Sequence, residues 1–139
     1  MYTAYCDGGS RGNPGPSAYA AVIDDENGNR TVRTGYLGIT TNNVAEYQGL
    51  LAVLLWVVSQ KSRAVCVYSD SMLLVQQIKG NWKIKNPALK KLWDACQLLI
   101  AHLDTFEITH VRRAQNRDAD AWVNSVLDDP GLALWQISL

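Results

Sequence analysis

Apolar and polar side chains alternate over residues 2–7 (YTAYCD), the period-two signature of a strand with one buried face. The alternation stops at GGSRGNPGPS, whose glycines and prolines predict a loop. Residues 18–24 (AYAAVID) form a second expected strand, DENGN a turn suited to a hairpin, and residues 30–38 a third strand from their Val, Thr and Tyr content. From about residue 43 to residue 59 the period becomes helical: Ala45, Leu50, Val53, Leu54, Val57 and Val58 recur on a helix with so little polar surface that it should be well covered. AVCVYS, residues 64–69, predicts a fourth strand apolar enough to lie centrally in a sheet. Ser69 or Ser71 then caps a helix carrying Leu73, Leu74, Gln77 and Ile78 and ending at Gly80. NWKIKN is an exposed linker, and Pro87 fits the first turn of a longer helix with Leu89, Leu92, Trp93, Cys96, Leu99, Ile100 and Leu103 at its apolar positions. Residues 106–111 supply a fifth strand, and a last helix is expected from about residue 117 to residue 127, ended by Pro130 and Gly131. This order predicts an α/β domain with a mixed five-stranded sheet flanked by helices.

The 139 residues fit one domain, residues 1–129, with residues 130–139 as an apolar tail either docked on the body or open to a partner. With 47% apolar residues and five tryptophans the core can be substantial, and disordered or collagen-like chains are excluded. Trp56, Trp93 and Trp122 read as core residues. No run of eighteen apolar residues occurs, so no membrane span is predicted. The opening MYTAYCDGG has no basic and apolar leader, and Cys6, Cys66 and Cys96 are odd in number and widely spaced. A cytoplasmic protein with reduced, mostly buried thiols is therefore expected.

Thirteen basic residues balance thirteen acidic ones, but their distribution is uneven. Lys61, Arg63, Lys79, Lys83, Lys85, Lys90 and Lys91 face the single acid Asp70 between residues 61 and 93, with Trp82 inside this stretch and Trp93 at its edge. Such a surface suits a phosphodiester ligand, and equally a solvated lysine-rich helix face. Asp7 ends the first predicted strand, Asp70 follows the fourth, Glu46 lies one turn into the first helix, and Asp118 and Asp120 open the last. Ends of central strands and starts of adjoining helices converge on one edge of an α/β sheet. Singly, Asp7 and Asp70 also read as turn caps and Glu46 as a solvent-facing residue. A cluster of carboxylates needs cations to neutralise it, and hard oxygen donors suit Mg²⁺ or Mn²⁺. Three scattered cysteines and two histidines do not have zinc-site spacing. The residue pattern does not separate Asp118 from Asp120.

Four blocks spanning nearly the whole chain, YCDGGSRGNPGPSAYAAVI, TNNVAEYQGL, YSDSMLLVQQIKGNWKIKN and HVRRAQNRDADAW, resemble the type 1 ribonuclease H family. The order and spacing of the first three are specific where a bare DGG would not be. The resemblance implies the ribonuclease H-like fold, a three-stranded antiparallel meander plus two parallel strands. It also implies two-metal endonucleolytic cleavage of the RNA strand of an RNA–DNA hybrid, leaving 5′-phosphate and 3′-hydroxyl ends. The family's carboxylates fall on Asp7, Glu46, Asp70 and Asp120. Asp120 is chosen over Asp118 because the last carboxylate of the family follows an alanine in an N-x-x-A-D segment. By the same resemblance Asp7 bridges two Mg²⁺ ions (Mn²⁺ as a substitute), Glu46 and Asp70 hold the ion on the leaving-group side, and Asp120 holds the ion that delivers water. Gly8, Asn13, Asn42, Asn43 and Glu46 would then lie along the minor groove. Trp82, Lys83 and Lys85 would grip the DNA backbone.

The chain departs from many family members in two places. It has no extra helix and basic handle before its longest linker-borne helix, and the segment before its last helix, RRAQNR, has no histidine. Both features resemble archaeal-like and some bacterial members, and they make Arg113 a candidate for part of the missing histidine's electrostatic work. If the strand before it continues, Arg112 points the other way. His110 and His102 read as structural. Asn13 before Pro14 and Asn42 at a helix start also have local roles, in turn geometry and capping. Two other classes are weighed: another nuclease of the wider fold, such as a junction resolvase or exonuclease, and a noncatalytic hybrid-binding module. The TNN block and the Trp-Lys linker favour a hybrid nuclease over the first, and four retained carboxylates argue against the second. A monomer is expected, with the tail as the route to any dimer.

Overall fold

The computed structural model describes residues 1–134 and 137–138, with side chains described through Leu132. Its central sheet contains β1 (Tyr2–Ser10), β2 (Gly15–Asp24), β3 (Arg30–Thr40), β4 (Ala64–Ser69) and β5 (Thr105–His110), with α1 (Asn42–Ser59), α2 (Met72–Ile78), α3 (Pro87–Ile100) and α4 (Arg117–Asp128) around it. A two-residue β6 (Ile137–Ser138) pairs with β3 at Val32 and Thr31, so the order is β5-β4-β1-β2-β3-β6. This adds a short sixth strand to the five expected. β1, β2 and β3 form the antiparallel meander, while β1–β4 and β4–β5 are parallel. The expectation for the 130–139 tail lies partly outside the described residues; within them, a 3-10 turn covers Pro130–Leu134. Among the described residues no helix is long and apolar enough to cross a membrane.

Three of the four α-helices, α1, α2 and α3, begin where a short polar side chain satisfies free N–H groups of the first turn, whereas α4 has no such side-chain cap. Thr41 Oγ1 accepts from Val44, Ser71 Oγ from Leu74, and Asn86 Oδ1 from Ala88 and Leu89 with Pro87 at the first helical position. The cap of α2 is thus Ser71 and not Ser69, and Asn42 is the first residue inside α1 while Thr41 caps it.

The glycine-rich segment departs from expectation. Gly8, Gly9 and Ser10 continue β1, paired with Tyr19, Ala18 and Ser17, and the loop shrinks to residues 11–14. Main-chain pairing with β2 outweighs glycine's weak strand preference. Asp7 therefore lies inside a strand, three residues before its end, and not at the strand terminus.

The two faces of the sheet carry different cores. Ala4, Cys6, Ala21 and Ile23 pack with Tyr47, Leu50, Val53 and Leu54 of α1, and Leu89 and Cys96 of α3 join the same cluster. Ala18, Ala20 and Val22 lie with Ala119, Val123 and Val126 of α4. Cys6 and Cys96 are buried as expected, whereas Cys66 is only half-buried. Trp56, Trp93 and Trp122 pack against these clusters while keeping some exposure. α1 sits at backbone contact with β1, since a β-carbon on Gly49 would lie 2.8 Å from the Asp7 carbonyl oxygen.

Gly49→Ala should therefore lower the melting temperature, although alanine in a helix interior is favoured by about 1 kcal/mol over glycine. The helix must lift off the strand, an overpacking cost of about 1–3 kcal/mol. Thermal denaturation checks the sign; a rise in melting temperature would show that α1 has slack at this contact.

Candidate active site

The ladder between β1 and β4 ends at Cys6 and Ser69. The next residue on each strand is an aspartate, so Asp7 and Asp70 stand side by side where the two strands part. α1 on one face of the sheet brings Glu46, and α4 on the other brings Asp120. Carboxylate oxygens of Asp7, Glu46 and Asp70 all lie within 4.8 Å of one another, and with Asp120 they line a cleft of about 540 Å³. Glu46 reaches this position because Gly8 has no side chain: a β-carbon there would sit 2.3 Å from the Glu46 nitrogen.

Asp118, the alternative left open by the residue pattern, turns away and pairs with Arg30 Nη1 at 2.9 Å. Two aspartates two residues apart on a helix project about 200° apart, so only one of them faces the sheet edge.

Crowding and burial raise the affinity of this cluster for protons. Burial, followed by the charges of Asp70 and Asp120, pushes Asp7 up to about 8 from an ordinary 3.8. Burial, with Asp7 and Asp70 behind it, raises Glu46 well above the carboxylate range. Asp70 is raised by burial as well, while the Arg113 charge and a hydrogen bond from Asn116 pull it back. Glu46 Oε2 is buried without a hydrogen-bond partner. A divalent cation would answer both conditions, offsetting the repulsion and filling the vacant coordination of a hard oxygen donor. The donor set therefore fits Mg²⁺ or Mn²⁺.

The other predicted site residues divide into two groups. Gly8, Asn42 and Arg113 line the cleft. Arg113 is 82% exposed and its Nη2 is 4.0 Å from Asp120 Oδ1, a single long contact. Arg112 lines the cleft too, as does His110, because β5 stops at His110 and a 3-10 turn at Arg113–Gln115 replaces the continuing strand. The expected separation of the two arginines onto opposite sides is thereby corrected. Asn13, Asn43, Trp82, Lys83 and Lys85 lie outside the cleft, and all five are on exposed segments. Asn13 Oδ1 accepts from the Asn42 backbone N–H at 3.0 Å, tying the β1–β2 loop to the start of α1.

Sequence reasoning missed two buried amides. Asn116 donates to the Cys6 carbonyl at 2.9 Å, and its amide also reaches the Asp70 carboxylate, so it locks the turn before α4 onto the strand pair beneath the cluster. Its place in the N-x-x-A-D block was the available signal. Gln77 accepts from the Tyr47 hydroxyl at 2.7 Å and donates to the Lys83 carbonyl at 3.1 Å, which fixes the linker bearing Trp82, Lys83 and Lys85 to the core. The sequence pattern places Gln77 only among the apolar positions of its helix.

A family profile described as "Reverse transcriptase-like" matches residues 5–126. The ribonuclease HI of Halobacterium salinarum is 39% identical over 127 residues, covering 91% of this chain and 64% of the relative. The crystal structure of RNase H1 from that archaeon superposes with a TM-score of 0.87 at 37% identity, covering 92% of this chain and 98% of the other. The chain belongs to the type 1 ribonuclease H family. A bifunctional protein of Mycobacterium tuberculosis is 40% identical over 124 residues, covering 88% of this chain and 34% of the relative. This ribonuclease H chain thus spans about a third of the mycobacterial relative's length and just under two thirds of the haloarchaeal one. LC11-RNase H1, solved in complex with an RNA/DNA hybrid, is 35% identical with a TM-score of 0.86, covering 94% of this chain and 99% of the other. The ribonuclease H-like fold expected from the motifs is the fold observed.

Between pH 3.8 and about 8 the folded chain holds a proton on Asp7 that the unfolded chain has released. Stability of the metal-free protein from this source therefore falls as pH rises across that window, and Glu46 and Asp70 act in the same direction. A divalent cation would bind the deprotonated cluster, so any rise in melting temperature produced by Mg²⁺ should be larger at pH 8 than at pH 5. Differential scanning calorimetry with and without Mg²⁺ measures this; an increment independent of pH would remove the cluster as its origin.

Proposed function

We propose that this chain is an endonuclease that hydrolyses the RNA strand of RNA–DNA hybrids, with residues 1–129 as the catalytic unit. The observation that carries the reading is the convergence of Asp7, Glu46 and Asp70 within 4.8 Å, with Asp120 on the same cleft. The family and the hybrid-bound LC11-RNase H1 relative support it. Asp7 would be shared between two divalent ions, Mg²⁺ with Mn²⁺ as a substitute; Glu46 and Asp70 would hold one and Asp120 the other. When bound, such ions supply an activated water and compensate charge on the phosphate and the leaving oxygen.

The chain's own residues do the selecting and positioning. Gly8, Asn13, Asn42 and Asn43 offer amides and main-chain groups able both to donate to and accept from a ribose 2′-hydroxyl. Trp82 would pack on deoxyribose, and Lys83 and Lys85 would contact phosphates of the DNA strand. Arg113, whose guanidinium reaches toward Asp120, would steady the phosphate as negative charge builds. A noncatalytic binding module has no use for four carboxylates brought together at this electrostatic cost. Three free thiols accord with a reducing cytoplasm, and the chain is proposed to act as a monomer.

The same sequence offered as RNA–DNA, DNA–DNA, RNA–RNA and single-stranded RNA, each with Mg²⁺, Mn²⁺ or EDTA, tests the assignment on one gel. The hybrid should be cut only with a divalent ion present, DNA–DNA should be spared, and the products should carry 5′-phosphate and 3′-hydroxyl ends. Equal cutting of DNA–DNA, or 2′,3′-cyclic phosphate products, would overturn it. Asp70→Asn should abolish cleavage while the protein stays folded.

Arg113→Ala should lower turnover about tenfold, a loss of about 1.4 kcal/mol of transition-state stabilisation. Arg113→Lys should recover only part of it, because charge survives without the planar fork. Unchanged turnover in R113A would place the guanidinium outside the chemistry.

A further inference from the structure

Arg11, in the four-residue loop between β1 and β2, lines the same cleft as the carboxylates yet reaches toward α4. Its Nη1 lies 2.7 Å from Asp128 Oδ1. Its Nη2 donates to the Asn124 carbonyl at 3.4 Å and to Asn124 Oδ1 at 3.5 Å. Asp120, Asn124 and Asp128 follow at intervals of four along α4 and so share one face. The guanidinium therefore sits one to two helical turns from Asp120, about 6–12 Å along the axis.

As a fastener this ion pair is weak. The two side chains are 46% and 68% exposed, a setting in which an ion pair stabilises by about 0–1 kcal/mol. Asp128 also stands in the last turn of α4 with Asp129 behind it and no basic residue of the helix in that turn, so the helix itself offers the carboxylate no favourable partner. The result is a cation parked at the cleft by an acid that holds it loosely. Arg112 and Arg113 line the cleft as well, and they follow β5, on the opposite side of the β4–β1 pair from the β1–β2 loop. The acidic floor thus has guanidinium groups on both sides, an arrangement suited to the phosphates before and after one held at the floor.

Resting on the reading of the chain as a hybrid nuclease, we infer that Arg11 binds a backbone phosphate next to the scissile one on the strand lying on the carboxylates. Asp128 competes for the same guanidinium and lowers affinity for the hybrid. Release from Asp128 accompanies binding.

Fluorescence anisotropy of a labelled hybrid, with the full chain in EDTA across a salt series and melting curves on the same preparations, tests this. Arg11→Ala should weaken binding several-fold and reduce the slope of log affinity against log salt by just under one unit. Arg11→Lys should keep most of the slope. Asp128→Asn should strengthen binding several-fold at an unchanged melting temperature, and the double variant should bind as R11A does. Unchanged affinity and slope in R11A, or weaker binding in D128N in step with a lower melting temperature, would reduce the pair to a structural tether. Failure of the wild-type chain to bind the hybrid at low salt would instead overturn the functional reading underneath.

Discussion

Helix α1 lies so close on β1 that neither surface has room for a β-carbon: Gly8 of the strand and Gly49 of the helix face the opposing backbone at contact distance. This approach sets the height at which Glu46 stands over Asp7. A larger residue at either glycine would move the helix outward, and a shift of an ångström matters for a cluster whose oxygens lie within 4.8 Å. The same constraint explains why strand β1 carries a glycine at position 8. Gly9 instead faces Val123 of α4 on the other side of the sheet, and β2 supplies the ladder that keeps both glycines extended.

The cluster so assembled is costly by itself. Burial and mutual repulsion favour the protonated forms of Asp7, Glu46 and Asp70, and Glu46 keeps an oxygen without a partner. The surroundings correct this only in part, through the Arg113 charge and the Asn116 amide acting on Asp70. A site stabilised fully by the protein would have little affinity left for cations. The unresolved charge is the driving force for binding them, and the rigid strands hold the geometry against it.

Outside the cluster, side-chain amides set the positions of exposed segments. Gln77 links Tyr47 in the core to the main chain of Lys83, so a linker with no secondary structure keeps a fixed place beside α2 and α3. Asn13 does the same for the start of α1. In each case one side chain satisfies a main-chain group on another segment, six residues on for Gln77 and 29 for Asn13, which orders a loop at the cost of a single amide.

Local sequence determined the order of strands and helices, the helix starts and the inventory of carboxylates, because period, capping residues and residue type act over a few positions. The motif blocks went further and singled out Asp7, Glu46, Asp70 and Asp120. Three features were decided only by tertiary structure. β1 passes through a segment that looks like a loop because Gly8, Gly9 and Ser10 are held extended by pairing with Tyr19, Ala18 and Ser17 of the facing strand, which their own composition does not signal. The geometric difference between Asp118 and Asp120 depends on which face of α4 meets the sheet: one aspartate pairs with Arg30 and the other faces the cleft. Arg112 joins Arg113 and His110 at the rim because β5 ends one residue earlier than its β-branched composition suggests. Each turns on where a distant surface begins or ends, which residues within a few positions of one another do not encode.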